Sequence, residues 1–399
     1  MDEVARSTEV GGERGRLTLS THGAVIEAFG GRAAYHRAML VVDAHLDLSM
    51  NAIQWNRNLL TSVYTIRADE KNTPGKGRGQ GTVAYPEMRR GRVALSFATL
   101  IARSTGRPEP HIDFASTAQA YGTAQGQFAY YRALERQGHV RIVIDLPSLN
   151  AHMAEWDAWD AAHPKDDGSP TPPLGFVISM ESADPILAPG DLPSWHGAGL
   201  RAIGLAHYGP GRYAGGTSTE AGLSDLGRAL LAEMRPRGVL VDLTHSSDEA
   251  FWETLDRWDG TVLASHNNCR ALVPHQRQFS DEQIRAIASR GGVIGAALDC
   301  WMLKAGWRHG DSNAGVSLED VAAHIDHICQ VTGTVRHAAI GTDLDGGFGR
   351  EGSPHDLDTI ADLQTIPSLL AARGYGAGDV AAIMHGNWLR LLREAWTPP

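Results

Sequence analysis

GVLVDLTHSSDEAFWETLDRWDGTVLASH, residues 238–266, holds one full period of the fold. Gly238–His245 and Thr261–His266 are apolar and β-branched almost throughout, as strands buried on both faces are. Between them Ser247 is suited to cap a helix, and Asp248 and Glu249 place carboxylates at its positive end. The amphipathic stretch then runs to Trp258. Each strand-like run closes on a histidine.

The same design recurs on both sides. MLVVDAHLDL (39–48), RVALSFATLI (92–101), VRIVIDL (140–146), LGFVISME (174–181), LRAIGLAH (200–207), GGVIGAALD (291–299) and HAAIGTDLD (337–345) are further strand candidates. Helical spacing falls at Ser116–Gln137, Glu220–Arg235, Asp281–Arg290, Ser317–Thr332 and Asp356–Arg373, and Thr21–Ala38 suits a helix leading into the core. Strand alternating with helix over this length requires a parallel sheet with right-handed crossovers. Nine candidates give an α/β fold, an eight-stranded (β/α)8 TIM-type barrel with one surplus. The surplus is 140–146, because the Pro- and Asp-rich HPKDDGSPTPP (163–173) after it reads as an insertion. Thr61–Tyr85, with KNTPGKGRGQG inside it, reads as a second insertion or flexible loop. Residues 1–20 lack an apolar period and read as a mobile tail, leaving 21–399 as a single barrel domain.

Composition narrows the partners. With 42% apolar and 21% charged residues the chain is that of a soluble globular protein, and its net charge of −10 argues against nucleic acid and anionic lipid. No apolar stretch reaches the roughly 20 residues of a membrane span, and the polar N-terminus lacks a secretory pattern. Cys269, Cys300 and Cys329 are an odd, widely spaced set that reads as free thiols in a reducing, cytoplasmic setting. A small-molecule substrate follows, and a homodimer is compatible with this reading.

The polar residues within the apolar runs carry the chemistry. His45, Asp47, Glu181, His207, His245, His266, Asp343 and Asp345 stand at or near the C-terminal ends of strand candidates, where barrel active sites are built. In His45-Leu46-Asp47 the strand period of two sends both side chains to one side. Singly, an HxD pair or a strand-end histidine is commonplace. Jointly, His45, Asp47, Glu181, His245 and His266 form an N/O donor set suited to zinc, and five ligands serve two ions if one carboxylate bridges. His111, His196, His275, His355 and His385 lie in helical or loop stretches and read as solvated, and Cys269 as a plain buried thiol.

DAHLDL, ISMES, GLRAIGLAHY, GVLVDLTHSS, TVLASHNN, Arg277-Gln-Phe-Ser-Asp281, IGTDLDGG and HGNWLRLL (385–392) together resemble the membrane dipeptidase (renal dipeptidase-like) family of zinc metallopeptidases, within the amidohydrolase superfamily. The resemblance runs from about Val41 to Leu392. It implies two Zn2+ per chain, with Mn2+ or Co2+ as substitutes: one held by His45, Asp47 and Glu181, the other by Glu181, His245 and His266. It further implies His207 as a substrate-contacting catalytic histidine, Arg277 as the residue meeting the substrate carboxylate, and Asp343 as the catalytic acid. The implied activity is hydrolysis of L-L or L-D dipeptides by a metal-bridging hydroxide. Two departures bear on the substrate. Ser182-Ala183-Asp184 follows the glutamate where the family has Gly-Gly-His, and Ala94-Leu95-Ser96-Phe97-Ala98 replaces its Gly-Gly-Gln-Phe-Trp. The alternatives are another amidohydrolase, acting on an N-acyl amino acid, cyclic amide or lactone, and a barrel without catalysis.

Overall fold

All but one of the nine apolar runs enter a single parallel ring in the computed structural model. It describes residues 38–164 and 168–397, with the backbone of two short strands, β1 (Ile26–Phe29) and β2 (Arg32–Tyr35). The ring strands are β3 (Val41–Leu46), β4 (Val93–Ile101), β6 (Leu174–Glu181), β7 (Leu200–Gly204), β8 (Leu240–Asp242), β9 (Val262–Leu263), β10 (Ile294–Ala296) and β11 (Ala338–Ile340). Every residue of β4 and β6 is buried, which accounts for their unbroken apolar character. Ile340 lies opposite Asp43 where β11 returns to β3. A bridge between Ala264 and Ile294 joins β9 to β10, with Gly295 N–H donating to the Ala264 carbonyl at 2.9 Å. The fold is the (β/α)8 barrel expected from the sequence.

The exception, β5 (Val140–Ile142), pairs with Leu174–Phe176 at the start of β6, and β7 takes the same edge from Ile178 onward. One edge holds two strands in series, so the 140–146 run is indeed the surplus. Ser116, Ser224, Ser247 and Ser280 cap the helices Thr117–Arg136, Asp225–Met234, Asp248–Arg257 and Asp281–Ser289, each accepting from a backbone N–H three residues on.

Two expectations need correction. Thr21–Ala38 is not a helix where it is described: β1 and β2 form an antiparallel hairpin with Ile26 opposite Tyr35, lying beside the helix Ile366–Ala372. The Gly30-Gly31 pair between two four-residue runs is a hairpin signal that outweighs the helical spacing. The tail 1–20 lies outside the described residues. Thr61–Tyr85 is not a flexible loop, since it contains the helix Val63–Asp69 and is tied down from beneath, where Arg57 pairs with Glu70 at 2.9 Å and with Asp345 at 3.1 Å. Its glycines serve turns, Gly77 and Gly79 having φ of 73° and 69°. Residues 146–162, which carry no expectation from sequence, form the helix Leu146–Ala162, opened by an Asp145–Ser148 capping box.

HGNWLRLL is structural. In the helix Asn387–Trp396, Trp388 Nε1 donates to the Ile340 carbonyl at 2.8 Å and its ring meets Phe97 at 5.6 Å. Among the described residues no helix is long and apolar enough to cross a membrane.

The closing seam of the ring is tight enough to test. A Cβ on Gly341 would collide with the Ser265 carbonyl oxygen, a backbone atom held by the seam itself. Gly341→Ala is expected to destabilise the barrel by about 3 kcal/mol, the upper range for overpacking. Gly378→Ala, in the helix Ala377–Ala381 with open space around it, should be neutral or slightly stabilising. Denaturant midpoints of the two variants check the contrast.

Candidate active site

Six of the eight ring strands deliver the expected polar groups to the same end of the barrel. His45 lies within β3 and Asp47 just beyond it, and Glu181 is the last residue of β6. His207, His245, His266 and Asp343 each stand three residues beyond the ends of their strands at Gly204, Asp242, Leu263 and Ile340. The turn they occupy aims the side chain back across the barrel axis. His245 and Asp343 reach it with left-handed backbone, φ 64° and 58°, and Ser182 behind Glu181 has φ 69°. Such conformations cost of order 1–3 kcal/mol each and persist where the surroundings enforce them.

Glu181 is the centre. Its Oε1 lies 3.2 Å from His245 Nε2, 3.4 Å from His266 Nε2 and 3.7 Å from His207 Nε2, while its Oε2 lies 3.6 Å from His45 Nε2. His45 Nε2 is also 3.8 Å from both Asp47 Oδ1 and Asp343 Oδ1. Three overlapping triads, His45–Asp47–Glu181, Glu181–His207–His245 and His45–His266–Asp343, each bring their ligand atoms within 4.8 Å of one another. The structure thus brings together all five residues read as metal ligands, with His207 and Asp343 beside them.

This donor set fits a divalent metal. His45 Nε2, Asp47 Oδ1 and Glu181 Oε1 are buried without a hydrogen-bond partner among the described residues, a costly arrangement that a cation between them relieves. The outer ring nitrogens are turned away and anchored: His45 Nδ1 to Thr99 Oγ1 at 3.5 Å, His245 Nδ1 to Thr217 Oγ1 at 3.1 Å, His266 Nδ1 to Ser265 Oγ at 3.0 Å. Anchoring the far nitrogen leaves Nε2 to bind metal. Electrostatics point the same way. Burial pushes Glu181 up to about 7 and Asp343 well above the carboxylate range. Burial also holds His207, His245 and His266 well below the usual imidazole value. His45 moves the other way: burial opposes its charged form, but the carboxylates of Glu181, Asp47 and Asp343 beside it raise it to about 10.

Arg277 is buried, and Nη1 and Nη2 donate to Asn267 Oδ1 and the His266 carbonyl, each at 2.8 Å. Both partners are neutral, and Nε has none among the described residues. A cavity of about 1010 Å3 opens over these groups, lined also by Trp55, Tyr208 and Trp301. Its walls include Thr73–Lys76, from the stretch read as a loop, and the exposed His111 and His275 at its rim. Cys269 is a buried thiol, as expected. Asp345 is fully engaged by Thr82, the Val83 N–H and Arg57, away from the donor cluster.

Two cavity residues escape the sequence reading. Asp299 stands three residues beyond β10, at Ala296, and its Oδ1 is buried without a partner among the described residues. Burial raises it to about 8. Arg103 follows β4 and reaches His207. The strand-end rule that found the others covers both.

Fold and donor set together define a metal-dependent hydrolase built on a (β/α)8 barrel. The model for the membrane dipeptidase family (peptidase family M19) matches residues 32–397, and the chain belongs to that family. A Klebsiella pneumoniae protein described as "uncharacterized protein in pqqA 5′ region" is 30% identical over 232 residues, 56% of this chain and 83% of its own length. Dipeptidase tcpJ of Claviceps purpurea (strain 20.1) is 26% identical over 348 residues, 84% of this chain and 74% of its own. A metallo peptidase from Rhodobacter sphaeroides, solved with a phosphinate mimic of the dipeptide L-Ala-D-Ala, aligns with a TM-score of 0.69 at 23% identity over 90% of this chain and 100% of its own. That likeness bears on the fold.

Proposed function

We propose that the protein is a binuclear zinc dipeptidase that hydrolyses L-L or L-D dipeptides. The observation that carries the reading is the orientation of Glu181, one oxygen turned to His245 and His266 and the other to His45. In this reading His45, Asp47 and Glu181 hold one ion, and Glu181, His245 and His266 the other. When bound, the ions supply positive charge that acidifies water and polarises the scissile carbonyl. His207 presents a hydrogen-bond donor to the carbonyl oxygen as its charge grows. Asp343 takes the proton of the attacking water and returns it to the leaving nitrogen, so that OH ends on the acyl carbon and H on the amine. Arg277 fixes the substrate's terminal carboxylate with a planar fork of donors. Three buried free thiols suit a cytoplasmic enzyme.

The carboxylated-lysine type of amidohydrolase fits less well, because Glu181 already occupies the bridging place. A barrel without catalysis is disfavoured by the orphaned ligand atoms. The size of the cavity, about 1010 Å3, exceeds what a small dipeptide fills and favours one second substrate class in the same site, N-acyl amino acids.

A screen of the zinc-loaded enzyme over L-L, L-D and N-acyl amino acid libraries tests the assignment. Arg277→Met should lower kcat/KM by about one to two decades for a substrate ending in carboxylate, since a charge-assisted hydrogen bond is worth roughly 1.5–3 kcal/mol. It should change little for the C-terminal amide of the same substrate. Equal losses on both would move the protein toward the general amidohydrolase reading.

A further inference from the structure

The four histidines of the site are not equivalent. The Nδ1 atoms of His45, His245 and His266 face hydroxyls, which can accept a proton's hydrogen bond and so leave each Nε2 with its lone pair free. For His245 this is the natural arrangement, because the Thr217 hydroxyl is also 3.3 Å from the His245 carbonyl and can donate there. His207 faces a different partner. Arg103 Nη1 lies 2.6 Å from His207 Nδ1, and a guanidinium can only donate. His207 Nδ1 must therefore accept, and the ring proton sits on Nε2, directed to the cavity side where Glu181 Oε1 lies 3.7 Å away.

We propose that Arg103 is a positioning residue that fixes His207 as its Nε2–H tautomer, making this fourth histidine a hydrogen-bond donor to the substrate and barring it from the metal. The proposal rests on the reading of His207 as a substrate contact and supplies the group that imposes that role.

The support around Arg103 is extensive for a residue just past a strand. Nη1 donates to the imidazole and Nη2 to the Glu109 carboxylate at 2.8 Å, and the buried Asp113 carboxylate forms an ion pair with the guanidinium, 3.0 Å from Nε. The backbone closes around it, Arg103 N–H donating to the Ile112 carbonyl and Phe114 N–H to the Arg103 carbonyl, both at 2.8 Å. Thr105 ties Asp113 in turn, through its hydroxyl at 2.6 Å. Asp184, in the segment where the sequence departs from its relatives, locks this strap to the loop after His207. Its Oδ2 accepts from Ser104 N–H at 2.8 Å and its Oδ1 from Arg212 N–H at 2.9 Å. The altered segment behind Glu181 thus holds the arginine in register with the histidine.

The test uses the full-length zinc enzyme labelled with 15N-histidine, with His207→Gln identifying the His207 signals. Wild type should show the Nε2–H pattern at His207, and Arg103→Met should move it to Nδ1–H or a mixture. In the same variant kcat should fall about ten- to a hundredfold, the scale of misplacing one transition-state donor, with KM within about threefold and zinc content unchanged. Arg103→Lys, which keeps a single donor, should restore the tautomer and most of kcat; it also guards against a Met variant that fails to fold. An unchanged tautomer in Arg103→Met, a loss confined to KM, or loss of zinc alongside rate would each overturn the proposal. The tautomer is read without substrate, so failure to cleave dipeptides would count against the functional reading and leave this result standing.

Discussion

Asp343→Asn is expected to keep both metal ions and lower kcat by about 10²–10⁴-fold, the range for a lost general acid–base group. Retention of metal follows from its place. Asp343 lies at the edge of the donor cluster, 3.8 Å from His45 Nε2 and within 4.8 Å of a His266 ring nitrogen, whereas Glu181 meets four imidazoles at 3.2–3.7 Å. Its side chain is 16% exposed against 4% for Asp47 and 9% for Glu181, so of the three carboxylates it is the one open to a substrate. The backbone fixes its aim, with φ at 58° and its N–H donating to the His45 carbonyl at 3.3 Å. Asn keeps the shape and the hydrogen bonds of the chain but cannot carry a proton. Metal analysis beside steady-state kinetics checks both halves. Activity within a few-fold of the parent would remove the proton-carrying role from Asp343. It would not pass to Asp345, whose oxygens are taken by Thr82, Val83 and Arg57.

The barrel is legible in the sequence because burial on both faces leaves a continuous apolar run, and the site because polar residues at the ends of such runs need a reason. The strands themselves are shorter than the runs. In 238–245 only Leu240–Asp242 is strand, and in 261–266 only Val262–Leu263, because the chain turns before it reaches His245 and His266. Those turns are where the ligands are aimed, so the run marks the ligand better than it marks the strand. Arg103 and Asp299 obey the same rule and were hidden for a physical reason. Arginine is not a metal donor and Asp299 closes a run with no histidine in it, so only the three-dimensional setting, His207 for one and an unpartnered Oδ1 facing the cavity for the other, singles them out. The glycine-rich stretch after Thr61 misleads in the opposite direction. Gly and Lys suggest mobility, but the fixing contacts come from outside the stretch, from Arg57 just before it and from Asp345, distant in sequence, which accepts from the Thr82 and Val83 N–H groups.

Glu181→Gln should have the largest effect of any single change in the cluster. Both ligand groups in the proposed arrangement share this residue, and its two oxygens face His45 on one side and the His245–His266 pair on the other. The amide keeps the volume and one oxygen. It loses the charge, and it turns an NH2 toward ring nitrogens that must be lone-pair donors for metal. Saturating zinc is then expected to give at most one tightly held ion per chain, and turnover should fall by about a thousandfold or more, corresponding to roughly 4 kcal/mol of transition-state stabilisation. Asp47→Asn makes the informative comparison. Asp47 Oδ1 stands on the His45 side of Glu181, 3.8 Å from His45 Nε2, so its loss should weaken one ion and spare the other. Two ions retained in Glu181→Gln, or equal loss of both ions in Asp47→Asn, would separate this site from a carboxylate-bridged pair.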